Sequence, residues 1–121
     1  MSGPQPTLSL DEFRRQSRVL QENRSKAREE YERHAQEEAQ AEFEYRKAFA
    51  IAHTQAAAKG TLNAKGIEAA AVAQTAPLRL KRDLARSLAK SSLLRINELE
   101  ADRATLRSIA EWSQRVDGVT A

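Results

Sequence analysis

Between Leu20 and Leu62 the chain has no leucine or valine and one isoleucine, Ile51, whereas from Leu78 to Leu106 eight leucines and Ile96 recur at helical spacing. The first stretch carries Tyr31, Phe43, Tyr45 and Phe49 on a background of Ala, Glu, Gln, Arg and Lys. A segment so poor in large aliphatic side chains cannot bury a core on its own. It can lie along a second segment that supplies the leucines, so the pattern predicts an all-α chain folded as a long antiparallel helical hairpin. Strands would need β-branched alternation bounded by turn residues, and none is present.

Breakers are few and grouped: four glycines and three prolines fall near the N-terminus, around residues 60–66, at Pro77 and at Gly118. Residues 1–7 are expected to be disordered, ahead of one helical-hairpin domain over 8–116. Ser9 is a candidate N-cap, with Glu12 three residues on as the partner in a capping box. A helix over about 9–58 should stop at Lys59-Gly60, with Gly60 left-handed. The turn is expected over 59–63, and Thr61 or Asn63 can cap the return. Pro77 either removes one hydrogen bond from a continuous helix or sits in the first turn of a new one capped by Thr75. The preferred reading is two return helices, about 63–75 and 76–115, meeting at a kink or break near Pro77. Asp117-Gly118 should end the second, with 117–121 frayed.

With the turn centred near 62–63, residues whose numbers total about 125 should face each other. Phe13 then meets Trp112 as a structural clamp, Leu20 meets Leu106, Tyr31 meets Leu94, and Tyr45 meets Leu80. On the first helix Ala27, Tyr31, His34, Glu38, Ala41, Tyr45, Ala48 and Ala52 step by three and four. On the return, Leu80, Leu84, Leu88, Ser92, Ile96, Leu99, Leu106 and Ile109 form the expected matching stripe. Charge agrees: residues 29–44 hold seven acids and one base, while 81–96 hold five bases and one acid. Each exposed pair is worth about 0–1 kcal/mol, so the pattern selects the antiparallel register more than it stabilises it. Phe43, Leu78, Leu93 and Leu94 fall off the central stripe and are expected to form an oligomer interface, completing a four-helix bundle on dimerisation.

Chemistry is hard to find. There is no Gly-rich phosphate loop, no Ser-His-Asp arrangement and no Glu-x-x-His pair of the kind a di-iron bundle needs. His34 and His53 stand roughly 28 Å apart on one helix and cannot share a metal. No cysteine is present, which fits a reducing compartment. No apolar run is long enough to span a bilayer, and MSGPQPT lacks the features of a secretory signal. The expectation is a non-enzymatic cytoplasmic protein with no metal, no cofactor, no small-molecule ligand and no membrane contact. The basic segment Arg14, Arg15, Arg18, Arg24, Lys26 and Arg28, opposed only by Glu22, is the candidate site for nucleic acid or an acidic protein partner, or else a solvated helix end.

Tyr45-Arg46-Lys47-Ala48, then Gly60-Thr61, then Leu106-Arg107-Ser108 with Trp112 resemble small helical proteins of unknown function encoded by tailed bacteriophages. The resemblance covers about residues 45–112. It implies a helical accessory protein in the host-cell cytoplasm, in a replication or recombination setting, and carries no catalytic motif to transfer. The expected function is a self-associating, protein-interaction module, a dimer first. The alternatives are a nucleic-acid-binding accessory protein using segment 14–28 and a virion assembly or scaffold component.

Overall fold

The structure, a computed structural model, describes residues 7–120. Two long helices, α1 (Leu10–Ala58) and α2 (Ala64–Thr120), pack against each other as an antiparallel hairpin. The helix ends have local causes. Ser9 Oγ accepts the Glu12 N–H at 3.1 Å, and the Ser9 carbonyl accepts the Phe13 N–H at 2.9 Å. The Glu12 carboxylate turns forward to Arg15 and Gln16. Gly60 adopts φ 69° and donates its N–H to the Ala57 carbonyl, the left-handed C′ position that glycine occupies at least cost. Asn63 Oδ1 accepts the Gly66 N–H at 2.8 Å and so caps α2.

α2 is one continuous helix through Pro77, not the two segments the sequence favours. Pro77 and Ala73 are both exposed, so the Ala73 carbonyl that loses its intrahelical donor is on the solvent side and water can serve it. The helix also runs past Asp117-Gly118 to Thr120. The expected disorder of residues 1–6 lies outside the described residues.

The contacts divide the hairpin into two units. One comprises residues 31–92, including the turn. Its α1 seam is Tyr31, His34, Glu38, Ala41, Tyr45, Ala48 and Ala52, and its α2 seam is Ala71, Thr75, Leu78, Arg82, Ala85, Ala89 and Ser92; all of these are buried or half-buried. Both sets alternate steps of three and four, the spacing that keeps two helices in contact along one line. Ala41, Ala52, Ala71 and Ala89 are buried, and side chains this small allow close approach of the axes. Across the seam Lys81 meets Glu44 at 3.1 Å, Arg82 meets Glu42 at 3.4 Å, and Arg86 meets Glu38 at 3.4 Å. His34 and Ser92 meet at 2.5 Å. The numbers of these pairs total 124 to 126, the register that a turn at 62–63 requires.

The buried stripe of α2 differs from the one the sequence suggests. Leu80, Leu84 and Leu88 are 61%, 58% and 49% exposed, and Leu78 takes the half-buried seam position instead. The reason is geometric. Steps of four advance about 400° on a 100° helix, so the row 80, 84, 88 drifts about 40° per step around the axis. The alternation 78, 82, 85, 89 stays in place. Tyr45 accordingly faces Arg82, whose guanidinium lies 4.5 Å from the ring centroid, rather than Leu80.

The other unit comprises, among the described residues, 7–30 and 93–120. Leu99 and Ala27 are buried here, and Phe13, Leu20, Ile96, Leu106 and Ile109 are half-buried. Arg24 pairs with Glu100 across the helices, with Nε at 2.9 Å. Leu8 N–H donates to Ser113 Oγ at 2.8 Å, and Ser113 is buried. Ser113 thus holds the seam position, and Trp112, expected to clamp Phe13, is 38% exposed beside it. Leu93 and Leu94 are exposed in this unit, as Phe43 is in the other.

Candidate functional site

Among the described residues no three His, Cys, Asp or Glu side chains gather closely enough to hold a metal, and no helix is long and apolar enough to cross a membrane. His34 is tied to Ser92, and His53 lies on the exposed side of α1 near the Phe49 ring. What the chain offers to a partner is surface, and two surfaces differ from an ordinary solvated helix.

The first is the outer face of α2 in unit 31–92. Continuing the seven-residue period from the seam places Ala73, Pro77, Leu80, Leu84, Ser87 and Ser91 on the opposite side of the helix. All six are exposed and none is charged, although 31% of the chain is charged. The back of α1 in the same unit reads Arg33, Gln36, Gln40, Phe43, Lys47, Ala50 and Thr54, a polar face with Phe43 isolated on it. Of the four residues expected at an oligomer interface, Leu78 is in the seam and only Phe43, Leu93 and Leu94 are exposed. The leucines expected in the core, Leu80 and Leu84, are the ones on the outer face.

The second is a groove on one side of the unit formed by 7–30 and 93–120, lined by Phe13, Ser17, Gln21, Arg24, Arg103 and Arg107. Helical spacing puts Arg14, Arg18 and Arg28 of α1 on this same side, because Arg14 and Arg18 precede Ser17 and Gln21 by three residues and Arg28 follows Arg24 by four. Arg15 faces the opposite groove with Asp102 and Arg95. Lys26 shares the back of α1 with Glu22 and Glu29, a surface that Arg18, at the edge of the groove side, also reaches. The basic segment is therefore divided: four of its six cations, Arg14, Arg18, Arg24 and Arg28, go to the groove side, and α2 adds Arg103 and Arg107. Arg24 is only 19% exposed and holds Glu100. Arg28 lies 3.9 Å from the same carboxylate. The Arg24 hydrogen bond keeps the Glu100 carboxyl below the usual carboxylate range, so it stays charged and occupied. Arg14, Arg18 and Arg107 have no ion-pair partner among the described residues. Arg103 and Arg107 are legible as groove residues only once the seven-residue register of α2 is known.

Protein-family models, curated proteins and solved structures give no match to this chain.

Proposed function

We propose that the chain is a non-enzymatic helical association module in which two copies pair through the outer face of α2, giving a four-helix bundle. The observation that supports this reading is the uncharged heptad-spaced row Ala73, Pro77, Leu80, Leu84, Ser87 and Ser91 on the solvent side of a helix whose seam is already filled. Large and small residues alternate along it in a way that suits an antiparallel copy. With the two-fold axis beside Ala85 and Arg86, Leu84 of one copy opposes Ser87 of the other, and Leu80 opposes Ser91. The same register brings Asp83 against Lys90 of the second copy, twice by symmetry. A parallel pairing would set Leu on Leu and like charge on like charge. Burying each leucine contributes about 1.5–3 kcal/mol, and the symmetric arrangement closes without leaving an open end. The likeness to phage-encoded helical proteins would make such a module an accessory factor that acts by protein contact.

Analytical ultracentrifugation tests the reading. The wild-type chain is expected to sediment as a dimer, and Leu80→Glu with Leu84→Glu as a monomer of unchanged helicity, since neither side chain touches the seam. A wild-type monomer at about 100 μM, or a double variant that still dimerises, would overturn it.

A further inference from the structure

We infer that the arginine-lined side of unit 7–30/93–120 binds the phosphate backbone of double-stranded nucleic acid. This surface is separate from the outer face of α2, and the inference does not depend on self-association.

Arg103 and Arg107 of α2 line the groove with Arg24 of α1, and helical spacing sets Arg14, Arg18 and Arg28 of α1 along the same side. Glu100 lies between these positions and is held by the half-buried Arg24, with Arg28 3.9 Å away, while Glu22 and Glu29 neighbour Arg18 on the back of α1. Arg24 therefore acts as the main neutralising residue for Glu100 and leaves Arg14, Arg18 and Arg107 without an ion-pair partner among the described residues. Asp11 and Glu111 lie beyond them, toward the chain ends. At 1.5 Å per residue, Arg14 and Arg28 are roughly 21 Å apart along the helix, a distance matching about six phosphate steps of one strand at 3.4 Å. Guanidinium groups suit phosphate because their fork of donors matches its oxygens. The groove floor offers Ser17 and Gln21, whose side chains also donate to phosphate oxygens. Single strands are disfavoured because stacking platforms are missing: the one aromatic ring in the groove, Phe13, is half-buried. The groove cations lie along the sides of two helices and suit the phosphate backbone rather than base edges, so binding is expected to be independent of sequence.

The test is fluorescence anisotropy with a labelled 30-base-pair duplex at about 50 and 200 mM salt. Five phosphate contacts predict a log–log slope near −4.5, a loss of roughly 500-fold between the two salts. Arg103→Gln with Arg107→Gln should reduce the slope by about 2 with helicity intact, because both side chains are exposed. Arg15→Gln, on the opposite side, should leave binding unchanged. Three results would each overturn the inference. The first is no duplex binding at 50 mM salt. The second is a double variant indistinguishable from wild type. The third is displacement of the duplex by poly-L-glutamate at equal charge, which would make the groove a site for an acidic protein.

Discussion

His34 and Ser92 meet in a seam otherwise built largely of alanine, and Ser92 is buried. A hydrogen-bonded pair at such a place adds little net stability, but losing one partner strands the other. Ser92→Ala is therefore expected to cost about 1 kcal/mol, and His34→Leu combined with Ser92→Ala to recover most of it. Urea unfolding of both variants checks the non-additivity. Arg82 is the companion case. It occupies a seam position at 15% side-chain exposure, held by the Tyr45 ring, Glu42 at 3.4 Å and Asp83 at 3.0 Å. An arginine so placed was not legible from the sequence, because its residue type reads as surface and only the ring and two carboxylates make it a seam residue. By contrast, Ser9 and Gly60 were legible as caps, and Asn63 as one of two candidates with Thr61, because capping depends on one side chain and its immediate neighbours.

At the scale of the helix, two regular patterns compete on α2. Leu80, Leu84 and Leu88 step by four and catch the eye. The seam steps by four and three through Leu78, Arg82, Ala85 and Ala89, where, Leu78 apart, its residues are small or charged. Hydrophobicity alone selects the first row, and contact geometry selects the second. On α1 no such competition exists, since the large aliphatic residues are absent, and the stripe from Ala27 to Ala52 was readable directly. The same logic divides the basic segment. Fifteen residues of sequence give its charge, but the side each cation faces requires the phase of the seam. Pro77 carries a prediction of its own. Replacing it with alanine restores a donor toward the Ala73 carbonyl and removes the ring clash, so Pro77→Ala should raise stability by about 1–3 kcal/mol. The gain should be visible as a higher urea midpoint with no loss of helicity.

For the molecule as a whole, the cross-helix ion pairs couple folding to pH. A hydrogen bond from Lys81, reinforced by Gln40, holds the Glu44 carboxyl below its ordinary range, and Arg24 does the same for Glu100. A carboxyl depressed in the folded state stabilises fully above its unfolded pKa of about 4.3 and loses that contribution as pH falls through the folded value. Urea midpoints should thus be flat near neutrality and fall below about pH 4. Glu44→Gln with Glu100→Gln should lower the neutral midpoint and flatten the acid limb, the more so at low salt. The strict seven-residue period of both seams has one further consequence. Removing seven residues from α1 and the facing seven from α2 would leave each remaining side chain in its old phase, so a shorter hairpin should assemble with the same faces. Removing a single residue would turn everything beyond it by about 100°. The reach of this protein is thus adjustable in whole heptads, and a lineage could lengthen or trim it without redesigning either surface.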